Sequence, residues 1–136
     1  MKPVTMLTIM QRSIVQDLEA LALQAKDIYV ASYTPTDKLV VSEPVVTGDF
    51  AISIAVATSA GEDVPVNHIL VNITIHGLDS PIYGYYYFFD DGRIETMHPE
   101  LGAGVGVAYC RQIKEAIAAT SLVVATTIPN AMVFSG

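Results

Sequence analysis

Alternation of apolar with polar or small side chains runs through the middle of the chain, and it constrains the fold more than any other feature. Phe50–Thr58, His68–His76 and Pro81–Asp90 each alternate with a period of two residues, the pattern of a strand with one face on a core. Turn-forming sequences separate these segments, and Asp91-Gly92, a strong hairpin signal, leads into Arg93–His98. Consecutive strands joined in this way predict an antiparallel sheet.

A helix is predicted on each side of these strands in the sequence. In Leu7–Ile28, apolar residues recur at every seventh position and at the half-steps, while the opposite side is polar. The apolar stripe suits either a dimerising helix or a helix packed on its own sheet, and we favour packing because it is the usual source of helix stability. Val107–Thr120 predicts the second helix. The segments that follow the two helices, Tyr29–Tyr33 and Ser121–Thr127, are rich in strand-forming residues and are predicted as strands.

Further strand segments precede and follow this body. Lys38–Thr47 contains Pro44, which marks an edge, a bulge or an early end, and Ala131–Phe134 follows Pro129. The sequence therefore predicts an α+β fold, with an antiparallel sheet of about five to seven strands flanked by an N-terminal and a C-terminal helix. A length of 136 residues suits a single domain over residues 1–136.

The charge balance limits the classes of partner. Lys and Arg number 7 against 14 Asp and Glu, and the acidic net charge of −7 opposes binding to a phosphate backbone. No basic run indicates an anionic membrane surface. Cys110 is the only cysteine, so neither an intramolecular disulfide nor a multi-cysteine zinc site is expected. The N-terminus does not resemble a secretory signal and no apolar run reaches about 18 residues, so a cytoplasmic protein is expected.

Pairing the segments by arithmetic predicts a tyrosine-rich sheet face. With Gly77–Ser80 as a loop, Asn72 opposes Tyr85. With Asp91-Gly92 as the next turn, Tyr85 opposes His98. The candidate ligand-binding residues on this face, with Thr96 beside them, are Asn72, Thr74, His76, Tyr83, Tyr85, Tyr87 and His98.

This tyrosine-rich face admits two interpretations. Hydroxyl, amide and imidazole groups on an aromatic platform suit a polar, preferably planar small ligand, or a partner protein. The same residues also suit sheet packing alone, since Tyr and Thr are strand formers and cross-strand aromatic pairs stabilise sheets. A helix over this face, or a slip of one residue in register, would remove the surface.

Side chains for metal or covalent chemistry are sparse. His68 and His76 lie eight residues apart on one predicted strand, about 26 Å, which is too far to share a metal ion. Cys110 falls within a predicted helix, where a cysteine is usually a small core residue, although Arg111 is next to it. No metal site, cofactor or catalytic group is therefore predicted. An enzymatic function would rest on His76 or His98.

A glycine-rich segment raises the question of anion binding. Gly102–Gly106 lies between a predicted strand and a predicted helix, the position at which backbone amides bind phosphate. It lacks the full dinucleotide-binding or P-loop pattern, and close packing of a helix on the sheet is the favoured interpretation. For an anionic ligand, the candidate contacts are Arg93, Gly104 and Arg111.

The predicted order of helix, antiparallel sheet and helix resembles that of frataxin-like domains and of the small acidic chaperones of secretion systems. The resemblance is one of element order. The chain has no Trp and lacks the acidic ridge on the first helix that frataxins carry. Shared topology does not transfer function.

These observations predict a non-enzymatic binding or adaptor protein that acts as a homodimer or larger homo-oligomer. Mean hydropathy is +0.44, and the second face of Phe50–Thr58 is small and uncharged, so apolar surface is left for a copy of the chain to cover. A structural assembly subunit, such as a virion or scaffold component, is the first alternative. A small-molecule enzyme is the second. No nucleic-acid or membrane partner is expected.

Overall fold

A computed structural model describes residues 6–32, 37–40, 45–58, 68–77, 81–97, 107–126 and 132–135. Two helices and seven strands occur in these ranges. They are α1 (Met6–Ser32), β1 (Asp37–Val40), β2 (Val45–Thr47), β3 (Phe50–Thr58), β4 (His68–His76), β5 (Ile82–Phe89), β6 (Ile94–Met97), α2 (Val107–Thr126) and β7 (Met132–Ser135).

Helix α1 extends beyond the predicted end at Ile28, because its stripe of buried residues continues to Tyr29. Leu18 is fully buried and Leu21 and Ala25 nearly so, and Tyr29, one turn further on, is only 2% exposed. The prediction of a strand over Tyr29–Tyr33 is therefore wrong for its described part, since α1 continues to Ser32. Burial of the Tyr29 ring against the sheet outweighs the local strand preference of this segment.

Helix α2 likewise extends beyond the prediction. Its buried residues keep helical spacing to the end of the helix, and they are Cys110, Ile113, Ala116, Ile117, Thr120 and Val124. The prediction of a strand over Ser121–Thr127 is wrong for its described part, because residues 121–126 are helical. The Thr126 hydroxyl donates to the Leu122 and Val123 carbonyls at 3.3 and 3.0 Å, which lets this β-branched residue fit the helix.

The sheet is antiparallel, and its body is the four-stranded meander β3–β4–β5–β6. Short strands extend it beyond β3, where β1 and β2 both pair with β3 and β7 pairs with β1. The predicted α+β class, with an antiparallel sheet and a helix towards each end of the chain, is confirmed. The meander itself has four strands, fewer than the five to seven predicted, and the rest of the sheet consists of the short strands β1, β2 and β7.

Both helices cover the same face of the sheet. They pack on each other, and the core lies between them and alternate residues of β3, β4 and β5. The sheet residues in this core are Phe50, Ile52, Ile54, Val56, Val71, Ile73, Ile75, Tyr86 and Phe88. The alternation that predicted the strands therefore also selects the face that the helices bury.

Candidate functional site

The second face of the meander points away from both helices, and we call it the open sheet face. Its side chains are partly buried by their neighbours or exposed, and no described element packs over it. It is built from Ala51, Ser53, Ala55 and Ala57 on β3, His68, Leu70, Asn72, Thr74 and His76 on β4, Tyr83, Tyr85, Tyr87 and Phe89 on β5, and Glu95 and Met97 on β6.

The predicted register between β4 and β5 is confirmed. Asn72 pairs with Tyr85, and the pairs on either side, Thr74 with Tyr83 and Leu70 with Tyr87, also lie opposite each other. Alternation along the two strands places all of these side chains on the open sheet face. Six of the seven candidate ligand-binding residues therefore share one surface, while His98 lies outside the described residues.

The predicted register between β5 and β6 is wrong by one residue. The loop is Asp90–Gly92, three residues long rather than two, closed by a hydrogen bond from the Gly92 amide to the Phe89 carbonyl at 3.0 Å. Gly92 has a φ of +89°, in the left-handed region that glycine favours in such loops. Tyr87 consequently pairs with Glu95, and Thr96 pairs with Tyr86 on the helix side.

Aromatic rings dominate the β5 side of the open sheet face. Tyr83 and Tyr85 are stacked, with ring centroids 6.3 Å apart and planes 20° from parallel, and Tyr83 is 47% exposed. At the other end of the strand, the His68 ring lies 5.5 Å from the Tyr87 ring and 5.3 Å from the Phe89 ring. The face thus offers a continuous aromatic ridge on which a flat group or an apolar side chain can pack.

A serine–histidine contact, which the sequence did not predict, lies at one end of this face. Ser53 Oγ is 3.0 Å from His76 Nε2, a hydrogen-bond distance and the separation expected of a nucleophile and its base. No carboxylate that would orient the His76 ring is found among the described residues, so the pair lacks the third member of a triad. The contact depends on the β3–β4 register, and the sequence of the connecting residues 59–67 does not predict that register.

Asn72 occupies the centre of the open sheet face, between Ala55 on β3 and Tyr85 on β5. Its Oδ1 atom is buried and accepts no hydrogen bond within the described part of the chain. An amide oxygen removed from water without a donor destabilises the state that contains it. Asn72 Oδ1 is therefore an acceptor whose donor is missing from the described part of the chain.

The candidate anion contacts are not brought together. Arg93 directly follows the β5–β6 loop. Its guanidinium stacks 4.1 Å from the centre of the Phe89 ring and lies 3.5 Å from Glu95 and 3.8 Å from Asp91. Arg111 is exposed on α2, in the layer that covers the other face of the sheet. Gly104 lies outside the described residues.

A groove of about 280 Å³ runs between α1 and α2, on the opposite side of the molecule from the open sheet face. Its polar groups are paired across the helices. The Lys114 ammonium donates to the Ser13 hydroxyl and, at 2.9 Å, to the Asp17 carboxylate. Gln24 and Ser121 exchange two hydrogen bonds, of 3.1 and 2.8 Å. The polar groups of the groove therefore have partners across the two helices.

Among the described residues, no cluster of three or more His, Cys, Asp or Glu side chains is arranged to hold a metal ion. Neither α1 nor α2 combines the length and the apolar character needed to cross a membrane. Comparison of the chain with protein-family models, with curated proteins and with solved structures finds no match.

Proposed function

We propose that this protein is a non-enzymatic binding or adaptor protein that recognises its partner through the open sheet face and acts as a homo-oligomer. The observation that carries the proposal is the stacked pair Tyr83 and Tyr85, with Asn72 and Thr74 beside it, on a sheet face that neither helix covers. Tyrosine rings supply contact area with little side-chain entropy to lose, and their hydroxyl groups orient a partner.

The shape of the face favours a protein partner over a small ligand. Small molecules usually bind in concave cavities that enclose most of their surface. The open sheet face is instead a broad surface four strands wide, and the groove described above lies in the helix layer. Broad surfaces with an aromatic centre and a polar rim are typical of protein–protein interfaces. A planar polar ligand on Tyr83 and Tyr85 is the narrower form of the same proposal.

An affinity experiment with three forms of the chain tests this proposal. Immobilised wild type, Tyr85→Ala and Leu122→Ala are each exposed to an extract of the cells that make the protein, and bound proteins are identified by mass spectrometry. Leu122 is 71% exposed on α2, which makes it a matched control away from the sheet. We expect a protein, either this chain or another, that wild type and Leu122→Ala retain and Tyr85→Ala loses. Equal retention by all three forms would show that the face is not the recognition surface.

A small-molecule enzyme is the second candidate, and the contact between Ser53 and His76 is the observation that favours it. Such an enzyme would use the Ser53 hydroxyl as a nucleophile with His76 as its base, which predicts covalent labelling by a fluorophosphonate. Labelling that Ser53→Ala and His76→Ala both abolish would support it. A wild-type chain that stays unlabelled would exclude this serine chemistry and leave the binding proposal intact.

The oligomer that forms separates an adaptor from a structural assembly subunit. A discrete dimer is expected of an adaptor, whereas a ring or an open polymer is expected of a structural component. Light scattering over a wide concentration range distinguishes the two, because a dimer has twice the mass of the 14.6 kDa chain and a polymer has many times that mass.

A further inference from the structure

We infer that a second copy of this chain occupies the open sheet face, in a two-fold symmetric dimer whose axis runs along β4 between the two facing sheets. The inference rests on the proposed function and names the partner, the symmetry and the contacts of that surface. Three observations support it: the large side chains on β5 beside the small ones on β3, the buried oxygen of Asn72, and the distribution of charge.

The open sheet face is high on one side of β4 and low on the other. On β5 it carries the rings of Tyr83, Tyr85 and Tyr87. On β3, at the same distance from β4 in the other direction, it carries only the small residues Ala51, Ser53, Ala55 and Ala57. The two strands are each about 4.8 Å from β4, so the face consists of an aromatic ridge and a parallel trough.

A two-fold axis along β4 fits the ridge of each copy into the trough of the other. Rotation about this axis exchanges the β3 and β5 sides and preserves position along the strands. Paired residues of β3, β4 and β5 lie at the same position along the strands, so Tyr83 faces Ser53 of the second copy. In the next two rows of paired residues, Tyr85 packs on Ala55 and Tyr87 packs on Ala57. An axis across the strands would instead set ridge on ridge. Interlocking of large and small side chains is how facing sheets reach the packing density of an interior.

Asn72 lies on this axis, midway between ridge and trough. Its counterpart from the second copy would therefore lie directly opposite, with the two amides face to face. Each side chain has an NH₂ donor and an oxygen acceptor, so the pair can exchange hydrogen bonds reciprocally. That arrangement requires the Asn72 amide to turn toward the second copy, and it then supplies the donor that Oδ1 lacks among the described residues.

The distribution of charge also favours self-association at this face. Each copy carries a net charge of −7, so two copies repel each other in most orientations. The rows of the face that carry Tyr83, Tyr85 and Tyr87 on β3, β4 and β5 have no charged side chain. The charged groups near the face are Glu95 on β6 and the Arg93 guanidinium, which stacks on the Phe89 ring and pairs with Glu95 at the edge of the face. Contact through the central rows therefore brings the two chains together away from their formal charges.

The size of the face is adequate for such a contact. Strands of up to nine residues, four abreast, give a flat area of about 500 Å² per copy, and β1 and β7 widen the sheet further. A standard interface buries about 800 Å² per partner, and accessible area exceeds flat area on a ridged surface.

Charged substitutions in the trough and on the ridge test both the dimer and its symmetry. We expect wild type to sediment as a dimer, and Ala55→Asp and Tyr85→Lys each to raise the dissociation constant about 100-fold or more, because each places a charge in the closed interface. Mixing the two variants should restore a dimer, because the introduced carboxylate of one chain then faces the introduced ammonium of the other. The remaining contact in the mixed dimer is the wild-type one. Leu122→Asp, on the exposed side of α2, is the control that should leave the dimer intact.

Each result separates the inference from the proposed function. A wild-type chain that is monomeric at all concentrations overturns the dimer, while the affinity experiment still decides whether the face recognises another protein. A dimer that Ala55→Asp leaves unchanged assigns dimerisation to another surface and overturns the inference. Variants that dissociate and do not recover on mixing overturn the axis along β4. Circular dichroism checks folding, and Ala57→Asp with Tyr87→Lys provides an equivalent pair one row along.

Discussion

Tyr85 and Tyr86 are consecutive in the chain but lie on opposite faces of the sheet. Tyr86 is fully buried beneath the helices, whereas Tyr85 is half-buried on the open sheet face and stacks on Tyr83. The pairing of Asn72 with Tyr85 fixes this orientation, because a shift of one residue would exchange the two rings.

The two tyrosines should therefore respond very differently to truncation. We expect Tyr86→Ala to lower the free energy of unfolding by about 3–5 kcal/mol, since it leaves a cavity in the core. Tyr85→Ala should cost about 1 kcal/mol or less, the usual scale for a surface site. Urea unfolding at concentrations low enough to keep the chain monomeric measures both. The reverse order would mean that the register is wrong and that the open sheet face does not exist.

The apolar stripe of α1 gives a second prediction. Leu18 is fully buried between the helix layer and the sheet. Leu18→Asp should prevent folding, because it places a carboxylate in the core without a partner. Leu18→Ala should fold with a loss of about 2–5 kcal/mol. Thermal unfolding of Leu18→Ala, with Leu23→Ala on the exposed side of α1 as the control, provides the measurement. Equal melting temperatures for the two alanine variants would contradict the observed packing of α1.

The parts of the fold that the sequence predicts correctly are those with one dominant local signal. Strands β3 and β4 have the bounds that their uninterrupted alternation predicts. The β4–β5 register followed from a loop whose four residues left one pairing consistent with that alternation. The β5–β6 register failed because Asp91-Gly92 is compatible with a two-residue or a three-residue loop. The hydrogen bonds from the Gly92 amide to the Phe89 carbonyl and from the Phe89 amide to the Arg93 carbonyl identify the three-residue loop.

The remaining errors have a common physical cause. Packing against residues that are distant in the sequence outweighs the local preference of a segment for strand or helix. Tyr29 and Val124 are residues of strand-forming type, yet each falls on the core side of a helix, and the core keeps the helix intact. The contact between Ser53 and His76 joins strands separated by residues 59–67, and a linker of that length allows many registers. No pattern within either strand indicates which register forms.

The end of β4 depends on a glycine, which gives a third prediction. Gly77 has a φ of +118°, and a Cβ atom placed there would lie 2.3 Å from the Asp49 carbonyl oxygen. Any L side chain is therefore strained by its backbone conformation and also meets backbone that cannot move aside. Gly77→Ala should lower the free energy of unfolding by about 2 kcal/mol or more. Gly92→Ala, where a Cβ meets nothing within 4 Å, is the control and should cost less.

Cys110 should be chemically silent in the folded chain. The residue is fully buried on α2, and burial raises the pKa of its thiol above the usual value, so the reactive thiolate is scarce. A thiol-specific reagent should modify native protein only as fast as the protein unfolds, and should modify urea-unfolded protein at once. Because Cys110 is the only cysteine in the sequence, a reagent that changes colour on reaction with a thiol reports this one site. Rapid modification of the native protein would show that α2 opens at this position.

The last prediction concerns alkaline pH and the buried hydroxyl of Tyr86. Burial raises the pKa of Tyr86 from 10.0 to about 12, and the nearby Glu19 carboxylate adds to the rise. Above pH 10, therefore, the unfolded chain loses this proton while the folded chain keeps it. The folded state then binds more protons than the unfolded state, so the free energy of unfolding falls as pH rises. The contribution is complete below about pH 10 and is lost as pH rises through about 12. Tyr86→Phe keeps the ring and removes the titrating group, so its free energy of unfolding should decline less over this range. Parallel declines for wild type and Tyr86→Phe would show that the Tyr86 hydroxyl ionises as readily in the folded chain as in the unfolded one.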